Sequence, residues 1–398
     1  MTLDILKSAL ENASRLIQPG QPHYPSLLKG GFPMPYFESF LTEPIAIAMD
    51  QLPQLTALFN RNLNTTTSSS RVSSWQLATA SIHHLLAKRP VDAIIADFLD
   101  LAKTSVCNSL TYVGIFGAGV TKKIAISEDV AIMPAVEAPP SLAREIVFGI
   151  DRWGQAIVKM GELPTPKPNL CALLSNNVEI FDGSIESNIR TSQNAGEKIT
   201  ALLRALTLSS GCPFSCGWQI SWLDHPAIPY EGMGGYGAGG TFEETPKPRV
   251  ETCSPVDAHL ASEVYRSALS LPSNIKTPTE LAIDRLRRSR VHTPSADTAL
   301  DLGIAGEIVL LHGPPVKKHI SRRYSERGAY LIATDPADRK EKYKAFRAMY
   351  DARSSAAHTG RINAAQQSRL EEFDQLCRLA ILKVIDLGGY PNWRSLNL

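Results

Sequence analysis

Residues 230–241 read YEGMGGYGAGGT, with six glycines in twelve positions, and prolines follow at 246, 248 and 255. Glycine loses the most backbone entropy on ordering, and proline removes an amide donor, so no helix or strand runs through such a stretch. It divides the chain into residues 1–250 and residues 255–390. With 398 residues in all, each part is long enough to bury a core of its own.

The two parts read differently. Before the break, helical spacing covers 3–17 and 75–102, with a polar tract at 65–70 read as an exposed loop. Residues 120–133 carry β-branched side chains around an acidic turn at Glu128 and Asp129, which predicts a hairpin. Strands are expected at 169–174 and 218–222, with a helix at 195–208 between them, so this part is α+β. After the break the signals are helical. Thr277-Pro278-Thr279-Glu280 has the form of a capping box, and Asp335-Pro336 starts another helix. Leu300, Ile304, Ile308 and Leu311 form one apolar stripe. Leu370, Phe373, Cys377, Ala380, Val384 and Leu387 form a second, stopped by Gly388-Gly389. These faces predict an all-α antiparallel bundle.

Composition narrows the class but not the function. A hydrophobic content of 43% and a net charge of +2 are ordinary for a globular protein and do not point to nucleic acid. Six cysteines are too few for a disulfide scaffold in a chain of this length, so a reducing, cytoplasmic setting is expected. The first residues are charged and amphipathic, unlike a signal peptide, and no apolar run approaches the ~18 residues of a membrane span. Cys212 and Cys216 have His225 downstream but no second ligand pair, and residues 114–122, with valine where a phosphate loop needs lysine, read as a β-turn. No metal or cofactor is expected. The glycine-dense loop around Tyr236 reads as a connection, and His83-His84 is given no role.

Residues 349–360 read MYDARSSAAHTG. Arg353 and His358 lie about 140° apart on an ideal helix, so they would not stack on one flank. His358 falls where Gly360 should end the helix, and a helix C-terminus favours protonated imidazole, so a raised pKa is expected for it. Imidazole can deprotonate a ribose 2′-hydroxyl near neutral pH, and guanidinium binds phosphate as a fixed fork, with no metal required. Only RNA carries that nucleophile. Lys317, Lys318, Arg322, Arg323, Arg339, Lys340, Lys342, Lys344 and Arg347 lie upstream, as either a phosphate track or a solvated helix face.

Tyr350, Arg353-Ser354, His358 and Gly360 resemble the Arg-x4–6-His motif of HEPN domains, and are most similar to the Apea-like branch. That branch has glycine directly after the histidine, where this chain has Thr359. Residues 321–332 resemble the family's helix with a central arginine, here Arg327. Residues 297–311 resemble its helix with an acidic residue, here Glu307. The resemblance spans roughly 278–387. It implies a homodimer formed by the C-terminal part, with Arg353 and His358 of both chains lining one cleft. It also implies an endoribonuclease of a toxin or antiviral defence system, and residues 1–250 are read as the part that recognises a trigger or the substrate, with an antitoxin or a phage component as candidate partners. Some family members are instead noncatalytic modules for dimerisation and nucleic-acid sensing. Ser354 and Tyr350 are read as orienting phosphate or, for Tyr350, as packing. Arg327 is read as pairing with Glu307 across the bundle, with direct catalysis the lesser role.

Overall fold

The computed structural model describes residues 2–17, 39–59, 61–66, 69–117, 119–141, 144, 147–148, 168, 170–181, 185–212, 214–228, 257–291, 295–313 and 318–393. Thirteen α-helices and seven strands occur among them. The glycine-dense loop and the prolines after it lie outside the described residues, as does Lys317.

The chain opens with α1 (Thr2–Leu16), α2 (Ser39–Asp50) and the single turn α3 (Pro53–Thr56). Leu6, Leu10 and Ala13 give α1 one buried stripe at the spacing of a helix face. The helix expected over 75–102 is two helices, α4 (Ser74–Leu86) and α5 (Val91–Leu101). Lys88 turns left-handed at φ 57°, and Pro90 then precedes α5 as its N-cap, a position at which its missing amide costs nothing. The tract at 65–70 is not an exposed loop where it is described. Thr65 and Thr66 are buried, and β2 (Ser69–Arg71) pairs back on β1 (Asn62–Asn64). The Thr66 hydroxyl donates to Ser109 Oγ at 2.9 Å, so the polar side chain is satisfied inside the protein rather than by water.

A five-stranded antiparallel sheet follows, in the order β4-β5-β6-β3-β7. The expected hairpin is β4 (Ile124–Ala125) with β5 (Val130–Pro134), and the two later strands are β6 (Leu170–Glu179) and β7 (Ser215–Leu223). The strand between β6 and β7, β3 (Val106–Phe116), was not expected. It runs through Gly114, where a β-turn is the sequence reading. A Cβ at Gly114 would lie 2.4 Å from Pro168 Cγ, so the glycine serves a close approach and not a turn. Side chains alternate across the sheet. Tyr112, Cys171, Leu173, Ile220 and Trp222 share a core with α1, α2, α4 and α5. Val113, Ile115, Ala172, Leu174 and Ile132 face the other way. Burial on both faces is why residues 170–174 read LCALL rather than alternating with polar residues.

The second core continues through α6 (Ile185–Ser209) into α7 (Ala258–Ser270), α8 (Ser273–Ser289), α9 (Ser295–Leu310), α10 (Ile320–Ile332), α11 (Pro336–Thr359) and, beyond the short α12 (Ala364–Gln367) that buries no residue, α13 (Leu370–Asp386). It contains residues from both sides of position 250, with α6 as the joint. Arg204 on α6 binds Asp284 on α8 through two bonds, at 3.1 and 2.8 Å. The start of α8 is Ser273, ahead of the Thr277 cap read from sequence. Pro278 is inside the helix, and Thr279 donates to the Ile275 carbonyl. Asp335 caps α11 as expected, accepting from the amides of Ala337 and Asp338. The α9 stripe is displaced. Ala299, Leu302, Ala305 and Val309 are buried, while Leu300, Ile304, Ile308 and Leu311 are only partly so. This helix touches α8, α10, α11 and α13, so nearly all of its circumference is covered, and its small residues let the neighbours approach. No helix among the described residues is long and apolar enough to cross a membrane.

His84, unassigned from sequence, ties the exit of β7 to α4. Its Nε2 donates to the Ala227 carbonyl at 3.1 Å, which leaves Nδ1 to accept from Arg89 at 3.2 Å. Burial and the Arg89 charge hold its pKa below the ordinary value, partly offset by the Ala227 bond and Asp97. A group with a depressed histidine pKa resists protonation only while folded. Its contribution is therefore fully present above the unfolded value, near 6.5, and is lost as pH falls from there towards the folded value. The melting temperature of wild type is expected to fall between about pH 7 and pH 5 more steeply than that of H84Q. Parallel curves for the two proteins would show that His84 is not the titrating group.

Candidate functional site

Helix α11 buries Ala345, Phe346, Met349, Ala352 and Ala356 against the bundle. Arg353 follows Ala352 and therefore lies on the flank of that face, whereas His358 lies two residues past Ala356 and is exposed. Both sit on one uninterrupted helix, so their directions differ by about 140°. The helix ends as read from sequence. Gly360 takes the left-handed cap conformation at φ 65°, and Thr359 does not disrupt it. The Thr359 hydroxyl bonds back to the Ser355 carbonyl at 2.7 Å, and the Arg361 amide then bonds to that hydroxyl. His358 thus occupies the last turn, where backbone carbonyls accumulate.

Arg353 is held from below. Its aliphatic stem crosses α9 at Gly303, where an added Cβ would come within 2.1 Å of Arg353 Cγ. One turn further along α9, Glu307 Oε2 accepts from Arg353 Nη2 at 3.0 Å. Both side chains remain about a quarter exposed, at 27% and 22%, so the guanidinium is engaged without being sealed off. Burial raises the Glu307 pKa above the ordinary carboxylate value despite the opposing Arg353 charge.

The structure brings together Glu307, Arg353 and Tyr350. The Tyr350 ring tilts on Tyr324 at 5.3 Å between centroids, a packing contact. Ser354 is half-buried beside Arg353. Arg327 is the correction, because Glu307 pairs with Arg353 and Arg327 does not reach it. Arg327 instead donates to the Leu310 carbonyl at the end of α9, at 3.0 Å, and lies over the Trp393 ring at 5.3 Å. It is buried, with its pKa lowered by burial and then by Arg323. Its place is structural, closing a helix C-terminus.

Most of the upstream cations spend their charge locally. Arg322 pairs with Glu326, Lys344 with Glu341, Arg347 with Asp351 and Lys342 with Asp338, all on their own helices. Arg339 covers the Tyr330 ring at 4.1 Å. Lys318, Arg323 and Lys340 are exposed and have no ion partner among the described residues. The solvated-face reading therefore accounts for more of this cluster than a continuous phosphate track.

Sequence reasoning missed Gly303, Gly306 and Tyr324. A Cβ at Gly306 would lie 2.1 Å from the Tyr324 hydroxyl. Two glycines three residues apart inside an otherwise apolar helix are the available signal, because such glycines mark close approach. Comparison with protein-family models, with curated proteins and with solved structures finds no match.

Proposed function

We propose that the chain is a metal-independent endoribonuclease of HEPN type, acting as a homodimer whose shared cleft draws on Arg353 and His358 of both chains. The observation that carries this reading is the partly exposed Arg353 guanidinium, which is braced by Glu307 and Gly303 of α9 and sits on α11, the helix that also presents His358 at its C-terminal end. His358 accepts the proton of a ribose 2′-hydroxyl as that oxygen attacks the adjacent phosphorus, and Arg353 neutralises charge on the phosphorane. The bond to the 5′-oxygen breaks and that oxygen takes up a proton, leaving a 2′,3′-cyclic phosphate and a 5′-hydroxyl. The diverging directions of the two side chains favour a cleft completed by a second copy. Residues 1–250 would then recognise the substrate or a trigger, in a toxin or antiviral role.

The Glu307 ion pair also favours a second reading, in which Arg353 only stabilises the bundle and the C-terminal part dimerises or senses nucleic acid without turnover. RNA cleavage in excess chelator separates the two. Wild type is expected to release products ending in cyclic phosphate, with R353A and H358A both defective. Equal activity in all three proteins would remove the site assignment, and binding without turnover by wild type would favour the sensing module.

A further inference from the structure

Tyr324 is fully buried between α9 and α11, yet its hydroxyl meets no hydrogen-bond partner among the described residues. A buried hydroxyl without a partner is costly, and Phe would fill the same space without that cost. The hydroxyl lies against α9 at Gly306, the residue before Glu307, and only glycine there leaves it room. Burial pushes its pKa up, and Cys377, Glu307 and Arg353 all lie near enough to act on it electrostatically. Arg353 Nε, likewise shielded from solvent, has no partner either. Two orphaned polar atoms thus flank the one ion pair at the candidate site.

We propose that Tyr324 is a positioning residue whose hydroxyl takes over Glu307 when a phosphodiester draws Arg353 away. The inference rests on the reading of Arg353 as a phosphate ligand. A phosphate that engages the guanidinium fork competes with Glu307, and a half-buried carboxylate stripped of its cation would oppose binding. The phenol hydroxyl, packed against the adjacent Gly306, turns to donate to the released oxygen and offsets that loss. The hydroxyl is therefore unsatisfied in the resting chain and satisfied in the complex, so the binding equilibrium is shifted towards the complex. Gly306 keeps the hydroxyl in place, and Gly303 does the same for the arginine stem.

The test measures binding of a fluorescent 2′-O-methyl oligoribonucleotide, which lacks the attacking hydroxyl, by anisotropy on the full chain, together with melting temperature. Wild type, R353A, Y324F, E307Q and Y324F/E307Q are compared. Y324F is expected to melt higher than wild type and to bind about tenfold more weakly, the size of one hydrogen bond to a charged group. In the E307Q background no carboxylate needs the donor, so adding Y324F is expected to change affinity by less than about twofold. If R353A binds as wild type does, the phosphate-ligand reading fails and this inference with it. If R353A binds weakly while Y324F matches wild type, the Tyr324 inference alone is overturned. It is also overturned if Y324F melts lower than wild type, or if it loses the same factor in the E307Q background.

Discussion

R353A is expected to cleave RNA about 10²–10³-fold more slowly than wild type, the loss that follows removal of one preorganised donor to a developing oxyanion. Lysine at this position keeps the charge but not the fork. R353K is therefore expected to recover only a minor part of the rate. Mixing defective chains gives a sharper result. Arg353 and His358 leave one helix in directions about 140° apart, and within a chain the arginine turns inward to Glu307 while the histidine stays exposed. If each Arg–His pair in the shared cleft takes its arginine from one chain and its histidine from the other, R353A and H358A chains complement. Random pairing makes half of the dimers mixed, and each mixed dimer keeps one intact Arg–His pair of two. The mixture should then recover about a quarter of wild-type activity. Initial rates after co-refolding of the two variants, against either alone, measure this. A mixture no more active than its components would mean that the pair acts within one chain, that the cleft needs all four side chains, or that the pair does not act at all.

The parts of the fold legible in the sequence are those set by local chemistry. Asp335-Pro336 caps α11 because a carboxylate and a missing amide suit a helix start wherever the helix goes. Gly360 and Gly388 end helices because the left-handed cap favours glycine. β3 was not legible, because its polar residues are satisfied by partners far away in sequence. Thr111 meets Ser221 at 2.9 Å and Asn108 meets Ser175 at 2.6 Å. A strand carrying Asn, Ser and Thr reads as irregular until those partners are known. At the candidate site, residue types and order pointed to Arg353 and Glu307, but Glu307 was matched to the wrong arginine. Which of two arginines reaches a carboxylate depends on how α10 and α11 pack on α9. That packing is decided by Gly303, Gly306 and Gly328, each with a side chain from a neighbouring helix closer than a Cβ would allow.

The joint between the bundle and the sheet is the place where one substitution should cost most stability. Arg290, at the end of α8, is only 6% exposed and makes a two-bond pair with Asp374 on α13, at 2.8 and 3.0 Å. The same guanidinium donates to the carbonyls of Thr207, Ser210 and Cys212 at 2.7, 3.0 and 3.3 Å, and Arg378 adds a bond to the Leu208 carbonyl. Two arginines of the bundle thus satisfy the carbonyls at the end of α6, just before the chain enters β7. R290A would leave a largely buried carboxylate and several carbonyls unpaired, which should cost about 3–5 kcal/mol. Denaturant titration would register this as a lower midpoint. D374N, which keeps an acceptor for the arginine, should lose less than R290A. An R290A loss below about 1 kcal/mol, the scale of an exposed ion pair, would mean that Arg290 is solvated in solution and that the joint is held by apolar contacts alone.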